Sequence, residues 1–405
     1  MKNSHNQAEQ ILERATLVKS KARRTVSAHR NLALSFFADA VTGGASRLVS
    51  ANEKDLAAAK KRGVDELTLN HMRLDYLTVS ALAGRIRTMA AKDDPTDGAE
   101  EWQCENGLSI RKELVPLGVL ITISGDNPRR TAESAAQAIK TGNAMVILRS
   151  PITPETDKVM AELLLGAFTC CGMPGEIIQY IDYSPENVRT LTGAGSTADA
   201  LILLGSKKQN DYVRKNTRLP VIASDTGTSH IYIDKGADIN AAALGVVESF
   251  TSGTSLNTVL VNWMVSDDFL PVLEGRCMEA GVELICDARV RSTLHGVEEY
   301  REHHKKNADG RLLVLTVNSP EDAIKHIEEF GDGVCEGIYT PSSESARLFC
   351  SMVDAGTITL NAPMSRANGF DTGLGADVGM GADKLTGRGL FGLDKLTTVK
   401  YIVKR

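Results

Sequence analysis

Apolar residues follow two different rhythms along this chain, and the change comes near residue 115. Before it, segments such as AEQILERATLVKSKA (8–22) and NEKDLAAAKKRG (52–63) place apolar residues three or four positions apart among charged ones. That spacing predicts amphipathic helices, because residues three and four apart share one helical face. The first hundred residues are therefore predicted to be helical.

Beyond residue 115, short apolar runs alternate with helix-like segments. The runs VPLGVLITIS, AMVILRS, EIIQYID and ALILLG lie between residues 115 and 205, and SHIYID, TVLVNWMV, ELICD, RLLVLTV, GVCEGIYT and GTITLN follow from residue 229. Apolar runs of this length, separated by helices, are typical of buried parallel strands, and such sheets bind ligands at the carboxyl ends of their strands. We expect an α/β fold with two doubly wound parallel-sheet lobes.

The same pattern suggests domain boundaries. Residues 1–228 are expected to form a nucleotide-binding lobe, helical over 1–100 and Rossmann-like over 114–228. Residues 229–363 are expected to form a second, catalytic-type lobe, and 364–405 a Gly-rich return segment that ends in a β-prone arm. Because an unpaired terminal strand commonly joins the sheet of a neighbour, we expect a homo-oligomer that assembles through this C-terminal arm.

Composition narrows the class of protein. The 405 residues are 42% hydrophobic and 24% charged, with a net charge of -5, which is typical of a soluble globular protein and argues against a nucleic-acid partner. No apolar run reaches the roughly 18 residues of a membrane span, and no signal peptide opens the sequence. We therefore expect a cytoplasmic protein without a membrane partner, with reduced cysteines and no metal site.

Two predicted strand ends carry residues suited to a nucleotide. Arg149 and Ser150 follow one buried strand and lie within reach of a ribose or a phosphate. Gly205 and Ser206 follow another, at the start of a helix whose free N–H groups suit a pyrophosphate. Neither is a complete G-x-G-x-x-G fingerprint, and a turn selected only for its geometry explains each pair equally well.

A third strand end, ISGDNPRR, carries residues suited to an acyl substrate. The amide of Asn127 could donate to an oxyanion, and Arg129 and Arg130 could bind a carboxylate or a phosphate. An Asn-Pro turn with solvated arginines fits the same residues and stays open as an alternative.

Several longer segments together resemble the γ-glutamyl phosphate reductase branch of the aldehyde dehydrogenase superfamily. They are VPLGVL (115–120), KTGNA (140–144), LPVIASDTGTSHIYID (219–234), GLGADVGMGADKLTGRGLFGLDKLTTVKYI (373–402) and the helical ANEKDLAAAKKRGV (51–64). The resemblance covers nearly the whole chain. It implies NADPH-dependent reduction of L-glutamyl 5-phosphate to glutamate 5-semialdehyde in proline biosynthesis. It also adds Gly227 to the residues expected to bind the cofactor NADP.

The sequence differs from the reductase branch in the segment that would carry the catalytic nucleophile. In that branch a cysteine thiolate attacks the acyl phosphate, and an amide holds the oxyanion. Here the matching stretch, TSGTSLNTVLV (251–261), is several residues shorter and contains no cysteine. Ser255, and after it Thr254, best fills the place of the nucleophile, and Asn127 that of the amide. A serine, unlike a cysteine, needs an adjacent base to become a nucleophile.

Three hypotheses stay open on the sequence alone. The chain is an active reductase, or a catalytically impaired relative that binds a nucleotide or a partner chain. The third is an aldehyde dehydrogenase-like enzyme with another substrate, because residues 124–154 resemble the wider superfamily more than the reductase branch.

Overall fold

The computed structural model describes two compact units. The described residues are 2–223, 227–294, 297–299, 310–376 and 379–405. The first unit takes residues up to 224 together with 373–378 and 391–405, and the second takes 225–372 and 379–390. The end of the chain thus returns to the first unit.

Five helices open the first unit, as the spacing of apolar residues predicts. They are α1 (Lys2–Arg24), α2 (Ser27–Gly43), α3 (Ala45–Lys61), α4 (Glu66–Met72) and α5 (Tyr76–Ala91). Their apolar faces supply buried side chains such as Phe37, Leu48 and Ile86. Asp75 and Thr78 begin α5 with a capping box, in which each side chain bonds to the backbone N–H of the other.

A five-stranded parallel sheet forms the centre of the first unit. The strands of the unit are β1 (Ala99–Gln103), β2 (Ser109–Pro116), β3 (Val119–Ile123), β4 (Ala144–Arg149), β5 (Ile178–Asp182), β6 (Ala200–Leu203), β7 (Val221–Ala223) and, from the end of the chain, β17 (Thr397–Lys404). Its remaining helices are α6 (Pro128–Lys140), α7 (Pro154–Cys171), α8 (Pro185–Thr192) and α9 (Lys207–Asn216). The parallel strands lie in the order β5-β4-β3-β6-β7. The winding therefore reverses between β3 and β6, and the carboxyl ends of these two strands flank the crevice where such sheets bind ligands.

The second unit is built around a larger parallel sheet. Its strands are β8 (Ser229–Ile233), β9 (Leu256–Asn262), β10 (Leu284–Cys286), β11 (Glu298–Glu299), β12 (Leu312–Val317), β13 (Cys335–Tyr339), β14 (Thr357–Leu360), β15 (Met380–Asp383) and β16 (Gly387–Leu390). Its helices are α10 (Ile239–Thr251), α11 (Ser266–Ala280), α12 (Ala288–Thr293), α13 (Pro320–Phe330) and α14 (Ser343–Met352). Seven strands lie in the order β11-β10-β12-β9-β8-β13-β14, and β15 pairs with β16 as a separate hairpin. Both units thus confirm the expected α/β class with two doubly wound parallel sheets.

The C-terminal strand pairs within its own chain. β17 runs antiparallel to β2 along eight residues, and β1 lies on the other side of β2. The outward side chains of this small sheet include Tyr401 and Val403, each 59% exposed, and Trp102, whose ring meets that of Tyr401 edge to face at 6.4 Å. An apolar strip therefore remains on the surface.

Over the described ranges, no helix is both long and apolar enough to cross a membrane.

Candidate functional site

The predicted residues of the first unit share one edge of its sheet. Because β3, β4 and β6 are parallel, the segments that follow them emerge on the same side. This edge brings together the predicted residues Asn127, Arg129, Arg130, Arg149, Ser150, Gly205 and Ser206.

Gly125, after β3, and Gly205, after β6, allow the two backbones to come into contact. This contact lies where the winding of the sheet reverses. A Cβ atom on Gly125 would lie 1.8 Å from the carbonyl oxygen of Leu204 and 3.5 Å from the Cα of Gly205. No side chain separates the two strand ends, so a ligand in the crevice would meet main-chain groups. Sequence reasoning missed Gly125, although a glycine two residues after a buried strand was the signal available.

Ser206 begins α9 with a second capping box. Its N–H donates to Oε1 of Gln209 at 3.0 Å, and the N–H of Gln209 lies 3.4 Å from Oγ of Ser206. Ser206 is exposed, so a phosphate could reach this helix terminus. It would have to replace the Gln209 side chain as the acceptor.

Ser150 and the start of α7 are already occupied by carboxylates of the protein. The N–H of Ser150 donates to Asp157 at 2.9 Å, and Ser150 is only 3% exposed. Asp55, from α3, accepts the N–H groups of Glu155 and Thr156 at 3.2 and 2.8 Å. The first turn of α7 therefore offers no free N–H groups at these positions to an external phosphate.

Arg149 lies at the same strand end but has a different environment. Its guanidinium pairs with Asp182, at the end of the neighbouring strand β5. Its Nε atom is buried and has no hydrogen-bond partner among the described residues. The Nε–H group of Arg149 could therefore still donate to a ligand, although Asp182 partly neutralises the charge of the guanidinium.

Asp157 makes the stability of the protein depend on pH. Burial raises the pKa of Asp157 to about 7, and the nearby Asp55 acts in the same direction. The folded protein therefore holds a proton that the unfolded chain releases near its ordinary pKa of 3.8, and stability falls as the pH rises from about 4 to about 7. Asp157→Asn cannot ionise, and its side-chain oxygen can still accept from Ser150.

We expect the advantage in stability of Asp157→Asn over the unchanged protein to be larger at pH 8 than at pH 5. The expected gain in the free energy of unfolding is on the order of 2–4 kcal/mol, since each pKa unit corresponds to about 1.4 kcal/mol. Thermal unfolding at both pH values measures it. Asp211→Asn, which removes an exposed carboxylate on α9, is the control and should leave the pH dependence unchanged. The same pH dependence in Asp157→Asn and the unchanged protein would contradict the prediction.

Asn127 begins α6, and its side chain is partly engaged. Its Oδ1 accepts the N–H of Arg129 at 3.1 Å and lies 3.3 Å from Nε of Arg129. The amide oxygen is thus committed to the helix start, which leaves the NH2 group as the donor for a ligand.

The two arginines after Asn127 are half-buried rather than fully solvated. Burial lowers the pKa of Arg129, and the positive charges of Arg85 and Arg130 add to this effect. Glu133 is buried and pairs with Arg85 at 3.0 Å. Positive charge therefore exceeds negative charge within this group, an arrangement suited to an anion. The assignment of Arg129 and Arg130 to the substrate stays a prediction.

Thr254 closes the end of α10 in the second unit. Gly253 turns the chain there with a φ of 72°, a left-handed conformation that glycine adopts without strain. The hydroxyl of Thr254 then donates to the carbonyl oxygen of Ser249 at 2.7 Å and lies 3.4 Å from the N–H of Leu256. The hydroxyl of Thr254 therefore has a structural role at the end of α10. Because it is engaged in these contacts, it is poorly suited to act as a nucleophile.

Ser255 lies at the amino edge of the seven-stranded sheet, paired with a second serine. Its Oγ lies 2.6 Å from Oγ of Ser229, and its carbonyl oxygen accepts the N–H of Ser229 at 3.0 Å. No imidazole, amine or carboxylate of the described residues bonds to either hydroxyl. The pair can exchange hydrogen bonds with a ligand, but it holds no base that would activate serine. Sequence reasoning missed Ser229, which opens the predicted strand SHIYID.

The cysteines do not supply an alternative thiolate. Burial raises the pKa of Cys277 to about 12, of Cys286 to about 11 and of Cys335 to about 12. The other four lie half-buried or exposed and are Cys104, Cys170, Cys171 and Cys350; none belongs to the loop of Ser255. Among the described residues, no group of three or more His, Cys, Asp and Glu side chains is arranged to hold a metal ion.

Gly227 belongs to the second unit, whereas the other predicted cofactor residues belong to the first. A Cβ atom on Gly227 would lie 0.9 Å from Oδ2 of Asp332, so the glycine is required for this close approach. Residues 224–226, just before it, lie outside the described residues. The proximity of a carboxylate does not favour a phosphate at Gly227.

Comparison with known proteins gives consistent matches over most of the chain. Residues 2–283 match the sequence model of the Aldehyde dehydrogenase family. The gamma-glutamyl phosphate reductase of Thermobifida fusca is 32% identical over 381 residues, which are 92% of this chain and 91% of that protein. The gamma-glutamyl phosphate reductase of Clostridium novyi is 30% identical over 404 residues, 97% of each chain.

Solved structures agree at the level of the fold. A crystal structure of gamma-glutamyl phosphate reductase from Thermotoga maritima matches 98% of both chains with a TM-score of 0.88 at 24% identity. An acetylating aldehyde dehydrogenase from Geobacillus thermoglucosidasius covers all of this chain and 97% of its own, with a TM-score of 0.75 at 15% identity.

Proposed function

Because this chain belongs to the aldehyde dehydrogenase family, and within it to the γ-glutamyl phosphate reductase branch, we propose that it is an NADPH-dependent oxidoreductase acting on L-glutamyl 5-phosphate. The product would be glutamate 5-semialdehyde, an intermediate of proline biosynthesis, with release of phosphate. The observation that carries the proposal is the identity of about 30% to γ-glutamyl phosphate reductases along nearly the whole chain.

The first unit fits a nicotinamide dinucleotide at the reversal of its winding. Gly125 and Gly205 keep side chains out from between the two strand ends, and the exposed start of α9 at Ser206 suits a pyrophosphate. Ser150 does not fit, because it is buried and bonded to Asp157. Arg149 and Lys208 would favour the 2′-phosphate of NADP over NAD. When bound, the cofactor supplies the hydride for the reduction.

The residues after β3 would handle the acyl phosphate. The free NH2 group of Asn127 would donate to the acyl oxygen as negative charge develops on it. Arg129 and Arg130 would hold the phosphate or the substrate carboxylate through charge-assisted hydrogen bonds. Because Ser255 has no base, we propose that no acyl-enzyme forms and that phosphate leaves from the substrate itself.

A catalytically impaired relative is the second candidate. The observation that favours it is the pairing of Ser255 with Ser229, which replaces a reactive thiol with two hydroxyl groups bonded to each other. Such a protein would still bind NADPH and act by regulation or assembly. The exposed apolar strip of Trp102, Tyr401 and Val403 would support assembly into a homo-oligomer in either case.

An assay of the reverse reaction tests the proposal. Purified protein with glutamate semialdehyde, phosphate and NADP should form NADPH, with the Thermobifida fusca protein as the positive control. NADPH binding is measured separately by fluorescence. No turnover where the control works, together with intact NADPH binding, would reject the reductase and support the impaired relative.

A further inference from the structure

A buried carboxyl group lies behind the strand that carries Ser229. Glu336, the second residue of β13, is fully buried, and its Oε2 accepts the backbone N–H of His230 at 2.6 Å. The same oxygen lies 3.1 Å from Nδ1 of His230, which is also fully buried. Within the described residues, Oε1 of Glu336 and Nε2 of His230 have no hydrogen-bond partner. Each buried unsatisfied group costs about 1–3 kcal/mol, so apolar packing alone does not explain this pair.

A second carboxylate holds the residues just before His230. Oδ2 of Asp332 accepts the N–H of Thr228 at 2.9 Å, and the N–H of Asp332 lies 3.3 Å from the carbonyl oxygen of Thr228. The N–H of Ser229 donates to the carbonyl oxygen of Ser255 at 3.0 Å. Three consecutive amides, at 228, 229 and 230, are therefore bound by Asp332, Ser255 and Glu336 in turn.

Glu336 and Ser255 lie on opposite faces of the sheet. Successive side chains of a strand point to opposite faces, so Ser229 meets Ser255 on one face and His230 meets Glu336 on the other. On its own face His230 also packs edge to face against His326 of α13, with 5.3 Å between ring centroids. The connection from Glu336 to the hydroxyl pair therefore runs through the backbone of β8.

We propose that Glu336 is a positioning residue that fixes the start of β8 through His230 and thereby holds Ser229 against Ser255. Any effect of Glu336 on the reaction rests on the proposed function. Its effect on the position of Ser229 can be measured without turnover.

The charge state of the pair makes the positioning sensitive to pH. The titratable groups around it are His230 on β8, His326 on α13, Asp332 in the loop before β13 and the adjacent Cys335. Burial raises the pKa of Glu336 well above its ordinary value, and the negative charge of Asp332 adds to the effect. Burial lowers the pKa of His230 to about 4. Both shifts favour the uncharged forms of the two side chains, and the contribution of the pair to stability is lost as the pH rises through the raised pKa of Glu336.

Amide hydrogen exchange in the full-length protein tests the proposal. Glu336→Ala removes the acceptor, and we expect the amides of Thr228, Ser229 and His230 to exchange at least about tenfold faster. Glu336→Gln keeps an acceptor oxygen and should stay within about threefold of the unchanged protein. Thr359→Val, which alters another buried, unpartnered polar side chain of the same sheet, should leave these three amides unchanged.

The pH dependence provides a second readout, which holds even if Glu336→Ala does not fold. As the pH rises through the raised pKa of Glu336, the unchanged protein should lose protection at these amides beyond any loss in α10, whereas Glu336→Gln should not. Unchanged exchange in Glu336→Ala, a uniform increase over the whole unit, or equal pH dependence in both proteins would overturn the inference. Exchange does not require turnover, so an inactive protein with the expected exchange would reject only the proposed reductase.

Discussion

Replacing Ser255 by cysteine is expected to raise the rate of NADPH formation from glutamate semialdehyde, phosphate and NADP by at least about tenfold. A thiol of ordinary pKa is a few per cent ionised at neutral pH, whereas serine has no base here. A thioester formed from the aldehyde is also attacked by phosphate more readily than an oxygen ester, because sulfur stabilises the carbonyl less. The change adds one larger atom at a half-buried position.

Thr254→Cys is the matched control for this substitution. Thr254 is adjacent in the chain, but its hydroxyl closes α10 by donating to Ser249, so a thiol there should bring no gain. Labelling with iodoacetamide confirms that the introduced thiol is accessible. A Ser255→Cys protein that is folded and labelled but no faster would show that residue 255 does not occupy the nucleophile's place. Ser255→Ala should leave any activity of the unchanged protein intact, because we assign Ser255 no covalent role.

Gly125→Ala is expected to separate the carboxyl ends of β3 and β6 and to weaken NADPH binding by at least about tenfold. The added methyl group would lie 1.8 Å from the carbonyl oxygen of Leu204. That atom belongs to the backbone and cannot rotate away, so the strands themselves must move. Overpacking of this kind costs about 1–3 kcal/mol of stability or more. Fluorescence titration with NADPH and thermal unfolding measure the two effects.

Gly205→Ala is the control for the effect of Gly125→Ala on stability. It lies at the same crevice, but its nearest contact is the end of the flexible Gln209 side chain at 2.8 Å. The Gln209 side chain can rotate away, so we expect a change in stability within about 1 kcal/mol. If the two substitutions change stability equally, the contact between the strand ends is not what makes a glycine necessary at residue 125.

The elements of the fold could be predicted from the sequence because local patterns determine them. Short apolar runs predicted the strands of both units, and apolar residues at helical spacing predicted the helices. Asn127, Arg149 and Ser206 were predicted as site residues because each follows a predicted strand, and all three lie at one edge of the sheet. The reversal of winding between β3 and β6 could not be predicted, since it depends on how the strands pack. Neither could the occupation of the first turn of α7, because the carboxylate of Asp55 that accepts the N–H of Thr156 lies a hundred residues earlier in the chain.

The candidate site was less predictable than the fold. Ser255 was found by its place in a resemblance, but its partner Ser229 is set by the pairing of β8 with β9. The pattern of apolar residues shows that β8 is a strand, and it carries no information on which strand lies beside it. Glu336 was missed for the same reason, since an acidic residue in a buried strand is recognisable only once its neighbour is known.

The pairing of β17 with β2 has a consequence for the order in which the protein is made. Strand β2 (109–116) is flanked by β1 on one side and gains its second neighbour only from residues 397–404. Residues 391–405 belong to the unit whose other residues are synthesised first. Residues 225–372, which belong to the second unit, are synthesised between these two strands. The first unit therefore cannot finish folding until most of the second has been synthesised, and until then its β2 strand exposes an unpaired edge.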